Sequence, residues 1–300
     1  MKSLTINKQK LDWGSRTYLM GILNITPDSF SGDGLYSASK VKDAASKGLE
    51  LARFFIGSGA DILDVGGEST RPGSQPVGEA EEMRRVIPVI KSIATEFPRA
   101  IISIDTFKAA VAEEAIRCGA RIINDVWALR ADPGLAAVAA RHGTPVILMH
   151  NRSSPANVEV RERLGSAYAA AEYINLIMDV KRELMESVSI ARKSGIADEH
   201  IILDPGIGFG KTVAQNLELI NRLDEIRALG YPVLLGASRK SFIGYTLNLP
   251  PDQRVEGTAA AVAVGITRGA DIVRVHDVEY LVRVARMTDA IIRPQPGREG

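Results

Sequence analysis

A repeated pair of patterns constrains this chain more than any other feature: a short apolar run ending in a polar residue, then a longer stretch of helical periodicity. Eight such runs occur, YLMGILN (18–24), ADILDVGG (60–67), AIISIDT (100–106), RIINDV (121–126), PVILMH (145–150), HIILDPG (200–206), PVLLGAS (232–238) and DIVRVHD (271–277). Apolar residues fill both parities, as they do in parallel strands covered on both faces. Segments such as 78–97, 165–195 and 256–269 carry apolar residues at three- and four-residue spacing and read as helices. Such alternation folds either as an open doubly wound sheet or as a closed (β/α)8 barrel. The strand ends favour the barrel. They read Asn24, Asp64, Asp105 and Thr106, Asn124 and Asp125, Met149 and His150, Asp204, Ser238, and Arg274 and His276. An open sheet concentrates function at one switch point, whereas a barrel builds its site from the C-terminal ends of many strands. The expectation is a single-domain α/β (β/α)8 TIM barrel over 18–292. An N-terminal extension (1–17) forms a small hairpin at the barrel bottom, and 293–300 is a C-terminal tail.

Composition narrows the partners. The chain of 300 residues is 45% apolar and 24% charged, with a net charge of +1, so no global field draws it to nucleic acid or a membrane. No apolar run approaches the ~20 residues of a membrane helix, and the polar start MKSLTINKQKLDWGSR lacks a secretory core. Cys118 is the only cysteine, which excludes an internal disulfide and a cysteine zinc cluster; its place inside EEAIRCGARI reads as a helix packing face. A cytoplasmic protein with small-molecule partners is expected.

The stretch ILDPGIGFGKT (202–212) ends like a nucleotide-binding P-loop, but that pattern needs a glycine where Pro205 stands. The glycines at 206, 208 and 210 also miss the dinucleotide spacing. The stretch is better read as a sharp turn after Asp204, with Phe209 able to cover a flat ring and Lys211 at the surface. Asp105, Asn124 and Asp204 end the third, fourth and sixth strands and together suit a flat heterocycle with an amino-imine edge, because paired N–H donors match a carboxylate. Salt bridges between neighbouring strand ends are the bland alternative. The loop from Asn24 offers hard oxygen ligands, suited to Mg²⁺, or an ordinary turn. The loop 66–78 carries Thr70 and Arg71 and is long enough to be functional. Arg274 and His276 share one strand face at the last strand end, where barrels often bind phosphate, and Lys240 and Ser241 start the preceding helix. No serine-histidine-aspartate arrangement and no covalent nucleophile stands out.

With these residues in view the chain closely resembles the dihydropteroate synthase family of folate biosynthesis over 18–292. The resemblance rests, in order, on MGILNITPDSFSGDG, DVGGESTRPG, SIDT, INDV, LMH, LDPGIGFGK, GASRKSFIG and RVHDV. It implies condensation of 6-hydroxymethyl-7,8-dihydropterin diphosphate with p-aminobenzoate, giving 7,8-dihydropteroate and pyrophosphate with Mg²⁺, by an SN1-like route. It also implies that Asn24 binds the metal and that Thr70, Arg274 and His276 meet the diphosphate. Asp105, Asn124, Asp204 and Lys240 then hold the pterin, with Met149, Phe209, Gly236 and Val275 lining its site. Phe30, Arg71, Pro72 and Ser241 surround p-aminobenzoate, where sulfonamides compete. Asp105, Lys240, Arg274 and His276 are the catalytic set, and a homodimer is expected.

One departure is visible. The family's first loop commonly reads Ser-Asp-Gly-Gly, and here it reads Ser31-Gly32-Asp33-Gly34, so the carboxylate of Asp33 has moved by one residue. Two rivals share parts of the pattern. A pterin-dependent methyltransferase domain would not need the first loop or the Arg-x-His pair. A non-catalytic pterin-binding paralogue would be expected to have lost Asn24, Lys240 or Arg274, and all three are present.

Overall fold

The computed structural model describes residues 1–26, 41–70, 73–154 and 157–293. The chain opens with an antiparallel hairpin, β1 (Leu4–Ile6) and β2 (Gln9–Leu11). Then come β3 (Tyr18–Asn24), β4 (Ile62–Gly66), β5 (Ile101–Asp105), β6 (Ile122–Asp125) and β7 (Val146–Met149). A second antiparallel pair, β8 (Val158–Arg161) and β9 (Gly165–Tyr168), precedes β10 (Ile201–Asp204), β11 (Leu234–Leu235) and β12 (Ile272–Val275). Eight strands form one parallel sheet in the order β10-β7-β6-β5-β4-β3-β12-β11. A single parallel bridge, Leu203 to Val233, joins its two ends, with Leu203 N donating to Pro232 O at 2.9 Å. The expected barrel is therefore present.

Helices α1 (Val41–Ser58), α2 (Glu79–Glu96), α3 (Ala109–Arg117), α4 (Pro133–His142) and α5 (Leu176–Lys193) lie between the strands. They continue as α6 (Val213–Asn221), α7 (Leu223–Arg227), α8 (Ser241–Leu247), α9 (Val255–Thr267) and α10 (Val278–Ile292). Among the described residues, no helix is long and apolar enough to cross a membrane. Outward-facing strand residues such as Leu63, Ile102, Ile123 and Val273 pack under these helices in the main core. A second core fills the barrel floor. Met20, Ile62, Ile101, Ile122, Ile147, Ile202, Leu234 and Ile272, one from each barrel strand, meet Leu4, Ile6 and Leu11 of the N-terminal hairpin. Each such side chain contributes roughly 1.5–3 kcal/mol when fully buried.

The register sets the other end. Asn24 pairs with Gly66, Gly66 with Asp105, and Asp105 with Asn124, so four neighbouring strands bring these residues to one level. Across the barrel Asp204 pairs with Met149. One expectation needs correction. Residues 165–195 are not a single helix, because Gly165–Tyr168 is a strand and α5 begins at Leu176, capped by the Asn175 side chain accepting from Met178 N at 3.1 Å. Gly165 sits at φ 74°, outside the helical region, and pairing with Val158–Arg161 overrides the helical pattern of the alanine-rich stretch.

Candidate active site

The strand-end residues converge on Arg274. Its Nε donates to Asp64 Oδ2 and its Nη2 to Asp105 Oδ2, both at 2.6 Å. Asn124 Nδ2 donates to the same Asp64 oxygen at 3.1 Å. Asp64 is fully buried, and among the described residues its Oδ1 is buried without a hydrogen-bond partner. Two carboxylates thus share one guanidinium. Burial raises the Asp105 carboxyl to about 7; Arg274 opposes the rise and neighbouring Asp64 adds to it. The Arg274 guanidinium, despite its burial, is held protonated by Asp64 and Asp105. Only two of the five N–H donors of a guanidinium are used in these bonds, so the fork is fixed but not exhausted.

The facing wall comes from β10, β11 and the turn into α8. Asp204 Oδ1 accepts from Gly206 N at 2.7 Å, and burial raises its carboxyl while Lys240 and that backbone N–H oppose the rise. A Cβ added at Gly236 would stand 3.8 Å from Lys240 Nζ and 3.9 Å from Asp204 Oδ2, which puts this glycine between the two. Lys240 caps α8, and its ammonium lies 4.7 Å from the centroid of the Phe209 ring and donates to Ile207 O. Burial lowers it to about 8, with Asp204 holding it up. Arg239 before it adopts φ 56°, a strained conformation for a non-glycine residue, and is pinned by Asp277 and Thr258 Oγ1. That turn aims Lys240 inward.

The glycines after Asp204 have a steric cause. A side chain on Gly206 (φ 70°) would come within 1.8 Å of His150 O, and one on Gly210 (φ 67°) within 2.7 Å of the Arg152 backbone. This close approach to the segment after β7 also buries Lys211, which corrects its expected surface position. Lys211 is 5% exposed and donates to Gly206 O at 2.9 Å and Phe209 O at 3.1 Å. Its Nζ also lies 3.1 Å from His150 Nδ1, and His150 Nε2 lies 3.0 Å from Glu183 Oε2. Burial lowers Lys211 to about 7 and His150 to about 4.

The structure thus brings together Asp105, Asn124 and Arg274 on one wall and Asp204, Phe209, Gly236 and Lys240 on the other. Met149 and Val275 are buried at their strand ends, and Ser241 begins α8. The imidazole of His276 is set by Ser238, whose Oγ lies 3.0 Å from Nδ1 and accepts the His276 backbone N–H at 3.2 Å. Asn24 is half-buried at the end of β3, and Thr70 meets the β8–β9 hairpin through its carbonyl. Phe30, Asp33, Arg71 and Pro72 lie outside the described residues. Sequence reasoning missed Asp64 as the residue shared by Arg274 and Asn124, although an acid two residues before Gly66 in an otherwise apolar strand is a usable signal. It also missed Tyr168, which stacks on Phe209, and the His150–Lys211 contact.

Residues 20–276 match the family described as pterin binding enzyme. The chain belongs to that family. Family relatives include a dihydropteroate synthase of Clostridium beijerinckii, 49% identical over 97% of this chain and 100% of the relative. One of Bacillus subtilis is 50% identical over 94% of this chain and 91% of the relative. Among solved structures, a family member from Clostridium difficile, a dihydropteroate synthase crystallised in the presence of pteroic acid, superposes with a TM-score of 0.82. It is 45% identical, over 94% of this chain and 99% of that one. A Yersinia pestis dihydropteroate synthase in a sulfonamide drug complex gives 0.85 at 39% identity, over 97% and 99% of the two chains. The barrel expected from the strand pattern is the fold these family members share.

Proposed function

We propose that this site joins 6-hydroxymethyl-7,8-dihydropterin diphosphate to p-aminobenzoate, giving 7,8-dihydropteroate and pyrophosphate. The chain is a transferase. The observation that carries the reading is the Arg274 fork held by Asp64 and Asp105 opposite the Asp204–Lys240 wall, because one cup then offers acceptors for a pterin edge and a cation for a leaving diphosphate. Asp204 accepts from the amino-pyrimidine edge, Asn124 and Lys240 fix the rest of the heterocycle, and Phe209 covers it. Arg274 and His276 take up charge as the C–O bond breaks, which favours an SN1-like order with the arylamine attacking second. Asp105 beside the ring stabilises the resulting cation when ionised.

Mg²⁺ fits as an ion that arrives with the diphosphate. Among the described residues no group of three or more His, Cys, Asp or Glu is arranged to hold a metal, whereas Asn24 supplies one hard oxygen at the cup, and Mg²⁺ commonly keeps waters and substrate phosphates as its other ligands. Bound there, it would neutralise charge on the leaving group. The p-aminobenzoate side is assigned to Phe30, Arg71, Pro72 and Ser241. We read the protein as a cytoplasmic homodimer. Tyr280, Met287 and Ile291 of α10 and Val264 of the adjoining α9 are exposed apolar side chains that support a dimer face.

Pyrophosphate release from the dihydropterin diphosphate, measured with Mg²⁺ and with or without p-aminobenzoate, tests the reading. Release matched by dihydropteroate formation and abolished in Asn24→Ala is expected. Pterin binding with no release would reduce the chain to a pterin-binding relative.

A further inference from the structure

The turn after Asp204 has few side chains of its own to hold it in shape. Gly206, Gly208 and Gly210 sit at φ 70°, 84° and 67°, where glycine moves freely, so bonds from outside the turn must order it. Three side chains supply them. Lys240 donates to Ile207 O. The Asn216 side chain of α6 accepts from Gly208 N at 2.6 Å and donates to Lys211 O at 3.2 Å. Lys211 donates to Gly206 O at 2.9 Å and Phe209 O at 3.1 Å.

An ammonium has three N–H donors and no acceptor. The third donor of Lys211 faces His150 Nδ1 at 3.1 Å, so His150 carries its proton on Nε2 and presents it to Glu183 Oε2 at 3.0 Å. Glu183, on α5, is held in turn by Arg152, whose Nε lies 3.1 Å from the same oxygen. The buried ammonium is therefore fully bonded, to two carbonyls of one turn and to an imidazole fixed from a neighbouring helix.

Both carbonyls belong to residues tied to the heterocycle wall. Gly206 is held by Lys211 at its carbonyl and holds Asp204 Oδ1 through its N–H at 2.7 Å. Phe209 has its ring stacked on Tyr168, 5.8 Å between centroids, and its carbonyl on Lys211. Charge couples the same groups. Burial pushes the Asp204 carboxyl up, and Lys240, the Gly206 N–H, Arg274 and Lys211 all oppose that rise.

We propose that Lys211 is a positioning residue for the heterocycle: its ammonium clips the Gly206–Phe209 turn, so that the Asp204 carboxylate and the Phe209 ring are set before the first substrate arrives. The inference rests on the function proposed above and concerns the pterin end of that substrate alone. The diphosphate end is given to Thr70, Arg274 and His276, and the Lys211 hydrogen bonds go to Gly206, Phe209 and His150 instead.

Calorimetric binding of two fragments of the first substrate separates these ends: 6-hydroxymethyl-7,8-dihydropterin for the heterocycle, and pyrophosphate with Mg²⁺ for the leaving group. Lys211→Met keeps an unbranched stem and removes the ammonium. Its Kd for the dihydropterin should rise about tenfold to a hundredfold, the size of one hydrogen bond to a charged group, with the Kd for pyrophosphate unchanged. Lys211→Gln, which keeps neutral N–H donors on a shorter side chain, should show the same split at smaller size. Unchanged dihydropterin affinity in Lys211→Met, or equal weakening of both ligands in both variants, overturns the proposal. Wild-type protein that binds no dihydropterin would instead sink the functional reading itself, a failure separable from that of Lys211.

Discussion

The two ends of the barrel are made from the same strands and do opposite work. At the floor, each barrel strand gives one buried aliphatic side chain, and the N-terminal hairpin plugs the opening with Leu4, Ile6 and Leu11. At the other end, a few residues further along, those strands give Asp64, Asp105, Asn124, Asp204 and Arg274, with carboxylates crowded round one guanidinium. The floor is filled by apolar side chains. The cup is held by hydrogen bonds between charged and polar side chains, and among the described residues Asp64 Oδ1 is buried without a partner. Stability and chemistry are thus separated along each strand by a short length of backbone, which lets the cup hold groups that a core could not tolerate.

Substitutions at the two ends should separate these roles. Arg274→Met should have the largest effect. Removal of a charge-stabilising donor of this kind costs about 100- to 1000-fold in kcat, read as the rate of pyrophosphate release. The same variant leaves Asp64 and Asp105 buried without their cation, so denaturant unfolding should also show a loss of roughly 3–5 kcal/mol. At the floor, Ile101→Ala should lower stability by about 2–5 kcal/mol while kcat per folded molecule stays at the wild-type value. A fall in kcat there would break the separation of ends.

Two smaller effects depend on pH. His150 is held neutral in the folded protein, with its pKa lowered to about 4 by burial, whereas the unfolded chain protonates it near 6.5. The folded state therefore binds fewer protons in that window, and stability is lost as pH falls from 6.5 towards 4, by up to about 3 kcal/mol. Thermal unfolding across this range should show a steeper acid decline in wild type than in His150→Asn, and parallel curves would contradict the assignment. Lys240, lowered to about 8 by burial, loses its charge as pH rises past that point. The KM for the dihydropterin diphosphate should then rise about threefold to tenfold above pH 8 and do so less in Lys240→Arg, which stays charged.

How much of this was legible beforehand differs by element. The barrel followed from eight apolar runs, because the strand-end polarity is a local signal repeated round the whole circle. The convergence of those strand-end residues on one cup was legible for the same reason. Tyr168 was not, since LGSAYAAAEY carries a helical pattern and only pairing with Val158–Arg161 makes its start a strand. Lys211 looked exposed because its burial comes from the close packing of Gly206 and Gly210 on His150 and Arg152, contacts about 60 positions away in the chain. Asp64 needed Arg274, a partner 210 residues distant, before its place in the cup could be seen.

The closure of the barrel carries a consequence for motion. β4 pairs five residues with each of its neighbours, but β11 is held by two paired residues on one side and the single Leu203–Val233 bridge on the other. Amides at this joint should exchange with solvent sooner than those of β4, because fewer ladder bonds must open to release them. The joint lies directly below Asp204 and the turn to Lys240. The wall of Asp204 and Lys240 therefore rests on the lightest seam of the cylinder, and the opposite wall on its stiffest staves.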